Sequence, residues 1–274
     1  MHWLRRRWIY GLVASLVSCS LILATPQPGH TASLLELLLR GVQIIQLATL
    51  SDRQEVSLGK QINDQLVAGD IQLYTGRNLN TYINDIGQRL VPYSERPNLP
   101  YTFQVIDNSQ INAFATMGGY VYVTTGLIKA ADNEAQLASV MGHEIGHIGS
   151  RHAVEQLRET ALAQGVLSAA GMDQNAAVNI GVELALRRPN SRRDEFEADQ
   201  LGLDTLTSAG YAPSAMVAFM EKLLNQGSVP TFLSTHPAVS DRIQALDQTI
   251  DPTIASQGAG LDSAAYRARI QELL

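Results

Sequence analysis

His143-Glu144-Ile145-Gly146-His147 sets two imidazoles four residues apart, with a glutamate directly after the first. On an α-helix, positions i and i+4 share a face, so both rings can reach one ion at about 2.0–2.1 Å. Glu144 stands off that two-ligand stripe. It is better placed to take a proton from water at the metal than to act as a third ligand. The plain alternative is a surface helix with two solvated histidines. The flanking residues argue against it. Asp132 or Asn133 offers an N-cap, and Leu137, Val140, Met141, Glu144, Ile145 and Ile148 recur at helical spacing. Such a helix is mostly buried, and a buried histidine pair without a metal would carry unsatisfied polar atoms.

A third ligand lies downstream, in Arg193-Asp194-Glu195-Phe196-Glu197-Ala198-Asp199-Gln200-Leu201-Gly202. Glu195 and Asp199 are one helical turn apart, and Ala198 and Gly202 share their face. Carboxylates flanked by very small residues suit a helix pressed closely against another. Glu195 then completes a His-His-Glu set with a fourth position left for water. Asp199 can accept the free N–H of a ligating histidine and fix its tautomer. Glu197 points elsewhere, as an exposed acid.

The two motifs together resemble the zinc metallopeptidase family of the CAAX prenyl protease, the heat-shock membrane protease HtpX and soluble periplasmic quality-control proteases. Residues 111–115 and 118–123 resemble that family's rim strand and the strand after it. Residues 133–152 resemble its active-site helix, and Ser234-Thr235-His236-Pro237 with Arg242 resembles its His-Pro segment. The likeness runs over about residues 53–250. It implies a gluzincin-type α+β domain, mostly helical, with a small sheet at the cleft rim. It also implies one Zn2+ per chain on His143, His147 and Glu195, with Glu144 as general base and Asp199 behind the ligands. Asn112, Ala113, Phe114 and Ala115 would line the cleft and pair with substrate backbone as an added strand. His236 would lie near the metal, able to fill its open position at rest, and Arg242 would stabilise the oxyanion. A turn histidine and a structural ion pair are the plain readings of these last two.

The N-terminus reads as an export device. Arg5-Arg6-Arg7 precede an apolar run over residues 8–24, and Thr25-Pro26-Gln27-Pro28-Gly29 breaks it. Residues 1–32 are thus a signal peptide or an N-terminal anchor. Ile22 and His30 make the cleavage sites after Ala24 and Ala32 imperfect. Cys19, the only cysteine, excludes an intramolecular disulfide. Leu16-Val17-Ser18-Cys19 resembles a lipoprotein box, although Leu21-Ile22-Leu23 extends the apolar run beyond it.

Residues 33–52 follow as an apolar N-terminal helix, packed on the domain or lying on a membrane. A zinc metallopeptidase domain over 53–250 and a C-terminal helical tail over 251–274 complete the chain. The net charge of −6 becomes more negative without the first three arginines, so nucleic acid is not an expected partner. No tandem repeat is evident. Periodicity predicts helices over 54–67 and 78–91 and strands over 101–105 and 120–125. Residues 161–186, rich in Ala, Gly and Val, read as a helical hairpin or a lid over the cleft.

These readings converge on an exported bacterial metalloendopeptidase, periplasmic or membrane-associated, that cleaves unfolded or misassembled envelope proteins. A chaperone-like module with a plugged site is the main alternative. A prenyl-protein processing enzyme lacks its long apolar spans here, and a structural zinc site favours four cysteine-rich ligands.

Overall fold

The computed structural model describes residues 44–168, 171–187, 190–225 and 230–274. Strand β1 (Ile44–Ile45) leads into α1 (Asp52–Gln65), where Ser51 and Gln54 exchange side-chain and backbone hydrogen bonds in a reciprocal cap. Helix α2 (Arg77–Leu90) buries Leu79, Ile83, Ile86 and Leu90 along one face. Three strands follow: β2 (Thr102–Ile106), β3 (Ala113–Thr116) and β4 (Tyr120–Thr124). Their order in the sheet is β2-β4-β3, with β4 parallel to β2 and antiparallel to β3. Gly118 and Gly119 turn the β3–β4 hairpin at φ 80° and 99°, a region that glycine enters without strain. This leaves β3 at the sheet edge, with one side unpaired by any strand among the described residues.

A short α3 (Thr125–Ala130) precedes α4 (Glu134–Gly149), the helix of the histidine motif. Asn133 caps α4 by accepting the Gln136 N–H, and every residue from Ala135 to Ile148 is buried. The long helix expected over 133–152 is broken. Arg151 takes a left-handed φ of 59°, and α5 (His152–Ala163) starts in a new direction. Beyond it come β5 (Met172–Asp173), α6 (Gln174–Arg187) and α7 (Arg192–Ser208), then α8 (Ser214–Leu224), α9 (Thr231–Thr235), α10 (Val239–Thr249) and α11 (Ser263–Arg269).

Helices α4 and α7 cross in backbone contact, as the small residues predict. A Cβ on Gly146 would stand 2.7 Å from the Ala198 carbonyl oxygen, and one on Gly202 would stand 2.8 Å from the His143 nitrogen. Gly146→Ala should therefore separate the helices. Alanine gains about 1 kcal/mol of helix propensity, but overpacking costs about 1–3 kcal/mol, and backbone cannot yield as a side chain can. A lower urea midpoint with an unchanged m-value is the expected result; an unchanged midpoint would show that the crossing tolerates a methyl group.

A buried charge knot ties the sheet turn to the end of α4. Glu55, 1% exposed, accepts from Arg96 at 2.8 and 3.0 Å and from the Gly118 N–H at 3.2 Å, and pairs with Arg151 at 3.0 Å. Arg96 also donates to the Ile148 carbonyl at 3.1 Å.

Two expectations change at the chain ends. Over residues 44–50 the chain is not a helix: Ile44–Ile45 pairs antiparallel with Met172–Asp173, and Leu47–Thr49 forms a 3-10 turn. Leu47 and Leu50 bury their side chains with those of α1, α5 and α6, which favours the extended pairing. Residues 1–43, including the signal, anchor and Cys19 readings, lie outside the described residues. The 251–274 segment is helical in part and packs on the main core. Tyr266 donates to the Ile128 carbonyl at 2.6 Å, and Ile270 is buried.

Candidate active site

Four buried side chains from three elements converge: His143 and His147 from α4, Glu195 from α7 and His236 from the end of α9. Their donor atoms all lie within 4.8 Å of one another. His143 Nε2 is 3.1 Å from His147 Nε2, 3.2 Å from His236 Nδ1 and 3.5 Å from Glu195 Oε2. Glu195 Oε1 lies 3.3 Å from His147 Nε2 and 3.1 Å from His236 Nδ1. Four ligands about 2.0–2.1 Å from a zinc ion stand about 3.3–3.4 Å apart in a tetrahedron, so the spacing fits that ion.

Charge points the same way. Glu144, Glu195 and Asp199 are buried carboxylates here, and Arg242 is the one buried guanidinium among them. With the histidines neutral, as metal ligands are, the three carboxylates exceed the guanidinium by two negative charges, which a divalent cation would balance in a medium that punishes unpaired charge.

Each donor is held from behind. Asp199 Oδ1 accepts from His143 Nδ1 at 2.9 Å, as its place on α7 predicts. Burial opposes charging of the His143 ring, but its hydrogen bonds to Asp199 and Glu195 outweigh it and raise its pKa to about 9. Burial lowers His147 to about 3, keeping that ring neutral and its nitrogen free to bind a cation. Burial likewise opposes the charge on Glu195, yet His236, His143 and His147 hold its carboxyl well below the usual range. Glu144 is raised, chiefly by burial. Its Oε1 is 3.4 Å from His236 Nε2 and is not among the cage donors.

Arg242 departs from its expected position. Nε and Nη2 bind the two oxygens of Asp199, each at 2.6 Å, and Nη1 binds Glu195 Oε2. A weaker bond at 3.3 Å runs from Nη1 to the His236 carbonyl, and Nη2 lies 3.4 Å from His143 Nδ1, whose own hydrogen is taken by Asp199. The guanidinium thus braces the two carboxylates from behind, as in the structural ion-pair reading.

Two residues at the cage went unnoticed in the sequence. His152 Nδ1 lies 2.8 Å from His147 Nδ1, so each fixes the tautomer of the other. A five-residue spacing shares no helical face, and only the left-handed Arg151 turns His152 back. Asn190, just before the Ser191 cap of α7, donates from Nδ2 to Glu195 Oε1 at 2.8 Å and accepts from Gln156 at 2.7 Å. Its backbone N–H also binds the Thr235 carbonyl at 3.0 Å. Glu197 is less detached than expected: Ser150 donates to it at 2.7 Å, and His152 Nε2 lies 3.5 Å away.

The cage opens on a cleft lined by Glu144 and His147, by Phe114 and Met117 of the β3–β4 hairpin, and by Val154 and Leu184 of the neighbouring helices. Asn112 accepts from the Thr124 N–H, so it faces β4. Pleating then turns the backbone groups of Ala113 and Ala115 outward, to the free side of β3. His236 Nε2 meets the Ala113 carbonyl there, at 3.4 Å. Phe114 stacks on Tyr122, with ring centroids 4.5 Å apart.

The sequence is similar to those of known proteins. The chain is 35% identical over 213 residues to the beta-barrel assembly-enhancing protease of Escherichia coli K12, covering 72% of this chain and 44% of that protein. It is 38% identical over 149 residues to the mitochondrial metalloendopeptidase OMA1 of Arabidopsis thaliana, covering 53% and 30%. The chain thus spans less than half the length of these curated relatives. The profile of Peptidase family M48 matches residues 77–250. That stretch contains α4, α7, the His236 turn and the edge strand, and the chain belongs to peptidase family M48.

Proposed function

We propose that this chain is a zinc-dependent metalloendopeptidase that cleaves unfolded or misassembled proteins of a bacterial envelope. The carrying observation is the four-donor cage with Glu144 beside it, under an edge strand whose outer side offers the Ala113 and Ala115 backbone groups. A zinc ion on His143, His147 and Glu195 would supply Lewis-acid polarisation of the scissile carbonyl and acidify the attacking water. Glu144 takes the proton of that water and passes it to the leaving amine. An extended substrate pairs with β3 through backbone alone, which suits chains of many sequences in a non-native state. Phe114 and Asn112 border the path. Asp199, through its bond to His143, and Arg242, through Asp199 and Glu195, keep the donors in place.

The export pattern of residues 5–24 and the naming of the Escherichia coli relative for β-barrel assembly support an envelope substrate and a periplasmic location. Among the described residues no helix is long and apolar enough to cross a membrane, and a membrane contact is proposed only for the N-terminal segment. A chaperone-like role is not favoured, since all four groups needed for hydrolysis are present and converge.

His236 is read as the resting occupant of the fourth position. Its Nδ1 completes the tetrahedral spacing, and its Nε2 takes the Ala113 carbonyl that a substrate N–H would use. Purified protein should hold about one zinc per chain and lose casein cleavage on chelation, with recovery on adding zinc. His236→Ala should keep the metal and raise basal casein cleavage, because water and substrate then enter freely. Wild-type activity in that variant would remove His236 from the metal, and cleavage that survives complete zinc removal would sink the metallopeptidase reading.

A further inference from the structure

The fourth position of the cage has a neighbour that the roles above leave unused. The amide of Asn190 has a fixed orientation, because a carboxylate only accepts and Nδ2 therefore faces Glu195 Oε1 at 2.8 Å. Gln156 holds Oδ1 from the other side at 2.7 Å. One of the two amide hydrogens is spent on Glu195. The other is directed toward His147 Nε2 and His236 Nδ1, 3.3 and 3.4 Å away. Both are cage nitrogens whose lone pairs point at the ion position, so neither is a good acceptor. Asn190 thus keeps a spare donor beside the place that His236 Nδ1 takes at rest.

We propose that Asn190 is the oxyanion donor of this site, binding the scissile carbonyl oxygen once His236 has swung out; this rests on the peptidase reading above. The water oxygen bonds to the carbonyl carbon while its proton passes to Glu144. The carbonyl π pair moves onto the oxygen, and the spare Asn190 N–H meets the new negative charge. Collapse of the tetrahedral carbon breaks the C–N bond, and the proton on Glu144 goes to the departing amine. Glu195 and Gln156 hold the donor in place before substrate arrives, so it needs no reorganisation during the step. Arg242 does not fill this role, because its N–H groups are committed behind the ligands.

The test compares Asn190→Ala with the wild type, both zinc-loaded. Zinc content, casein-peptide hydrolysis and the binding of two uncleavable peptides of one apolar sequence are measured. One is a phosphinic pseudopeptide, whose tetrahedral anionic group copies the charged carbonyl. The other is a reduced-amide peptide, which lacks that oxygen. Zinc content should be unchanged, and kcat should fall on the order of 100-fold with KM little altered. Phosphinic affinity should fall by a similar factor and reduced-amide binding should not. Loss of zinc, equal weakening of both peptides, or an unchanged kcat in an active enzyme would overturn the proposal. If the wild type cleaves nothing, the peptidase reading fails by itself. The phosphinic comparison then still decides Asn190, with equal affinity in the two proteins, or no binding to either, counting against it.

Discussion

Glu144→Gln should leave a folded, zinc-bound protein that no longer cleaves casein. Glutamine keeps the shape of the side chain and removes the one atom pair that can carry a proton from water to amine. A general base contributes about 10²–10⁴ in rate, so turnover should fall at least a hundredfold. Zinc should stay, since the cage donors are His143, His147, Glu195 and His236. Stability supplies an independent check. Burial raises the Glu144 pKa, which means the fold disfavours the charged form. For an acid raised in this way, folding stability is lost as pH rises through its unfolded value toward its folded one. At neutral pH the neutral amide should thus melt no lower than the carboxylate. Residual cleavage near the wild-type rate would take Glu144 out of the mechanism, and loss of zinc would make it a ligand.

Arg242→Met should be the most damaging substitution for the fold around the site. The guanidinium is fully buried and spans Asp199 and Glu195, both themselves buried. Removing one partner of a buried pair leaves uncompensated charge and costs about 3–5 kcal/mol. The expected result is a much lower chemical-denaturation midpoint with reduced zinc occupancy, because Glu195 and, through Asp199, His143 lose their anchor together. Arg242→Lys should recover part of the stability but not the two-pronged contact, so its zinc occupancy should lie between the two. Wild-type stability in the methionine variant would show that the brace is not required.

The helix pair was legible because its signal is local. Two histidines at i and i+4, then two carboxylates and small residues at the same interval, define faces before any tertiary contact is known. Family membership and the mostly helical class followed from these motifs with the rim strand and the His-Pro segment, and the M48 match covers them. Other features depend on where the chain turns. His152 reaches His147 only because Arg151 is left-handed, a conformation that no spacing rule assigns to arginine. Asn190 lies in a connection between helices, where neither period applies. For Arg242 the sequence leaves an oxyanion role and a structural ion pair both open. Its sequence neighbours do not reveal that two carboxylates on α7 would claim its whole donor edge. The short β1–β5 pairing escaped because Leu-rich sequence before it reads equally as helix, and the competing partner lies more than a hundred residues away.

The Glu55 knot sets the gauge of the machine. By gripping the Gly118 turn, the Arg151 corner and, through Arg96, the last turn of α4, it clamps strand β3 and the Glu144 helix into one fixed jaw. The short His236 turn is held by other contacts: Phe232 N–H to the Ile111 carbonyl, Asn190 N–H to the Thr235 carbonyl and Arg242 to the His236 carbonyl. The Glu55 contacts set the spacing between strand β3 and the Glu144 helix without drawing on any residue of the His236 turn.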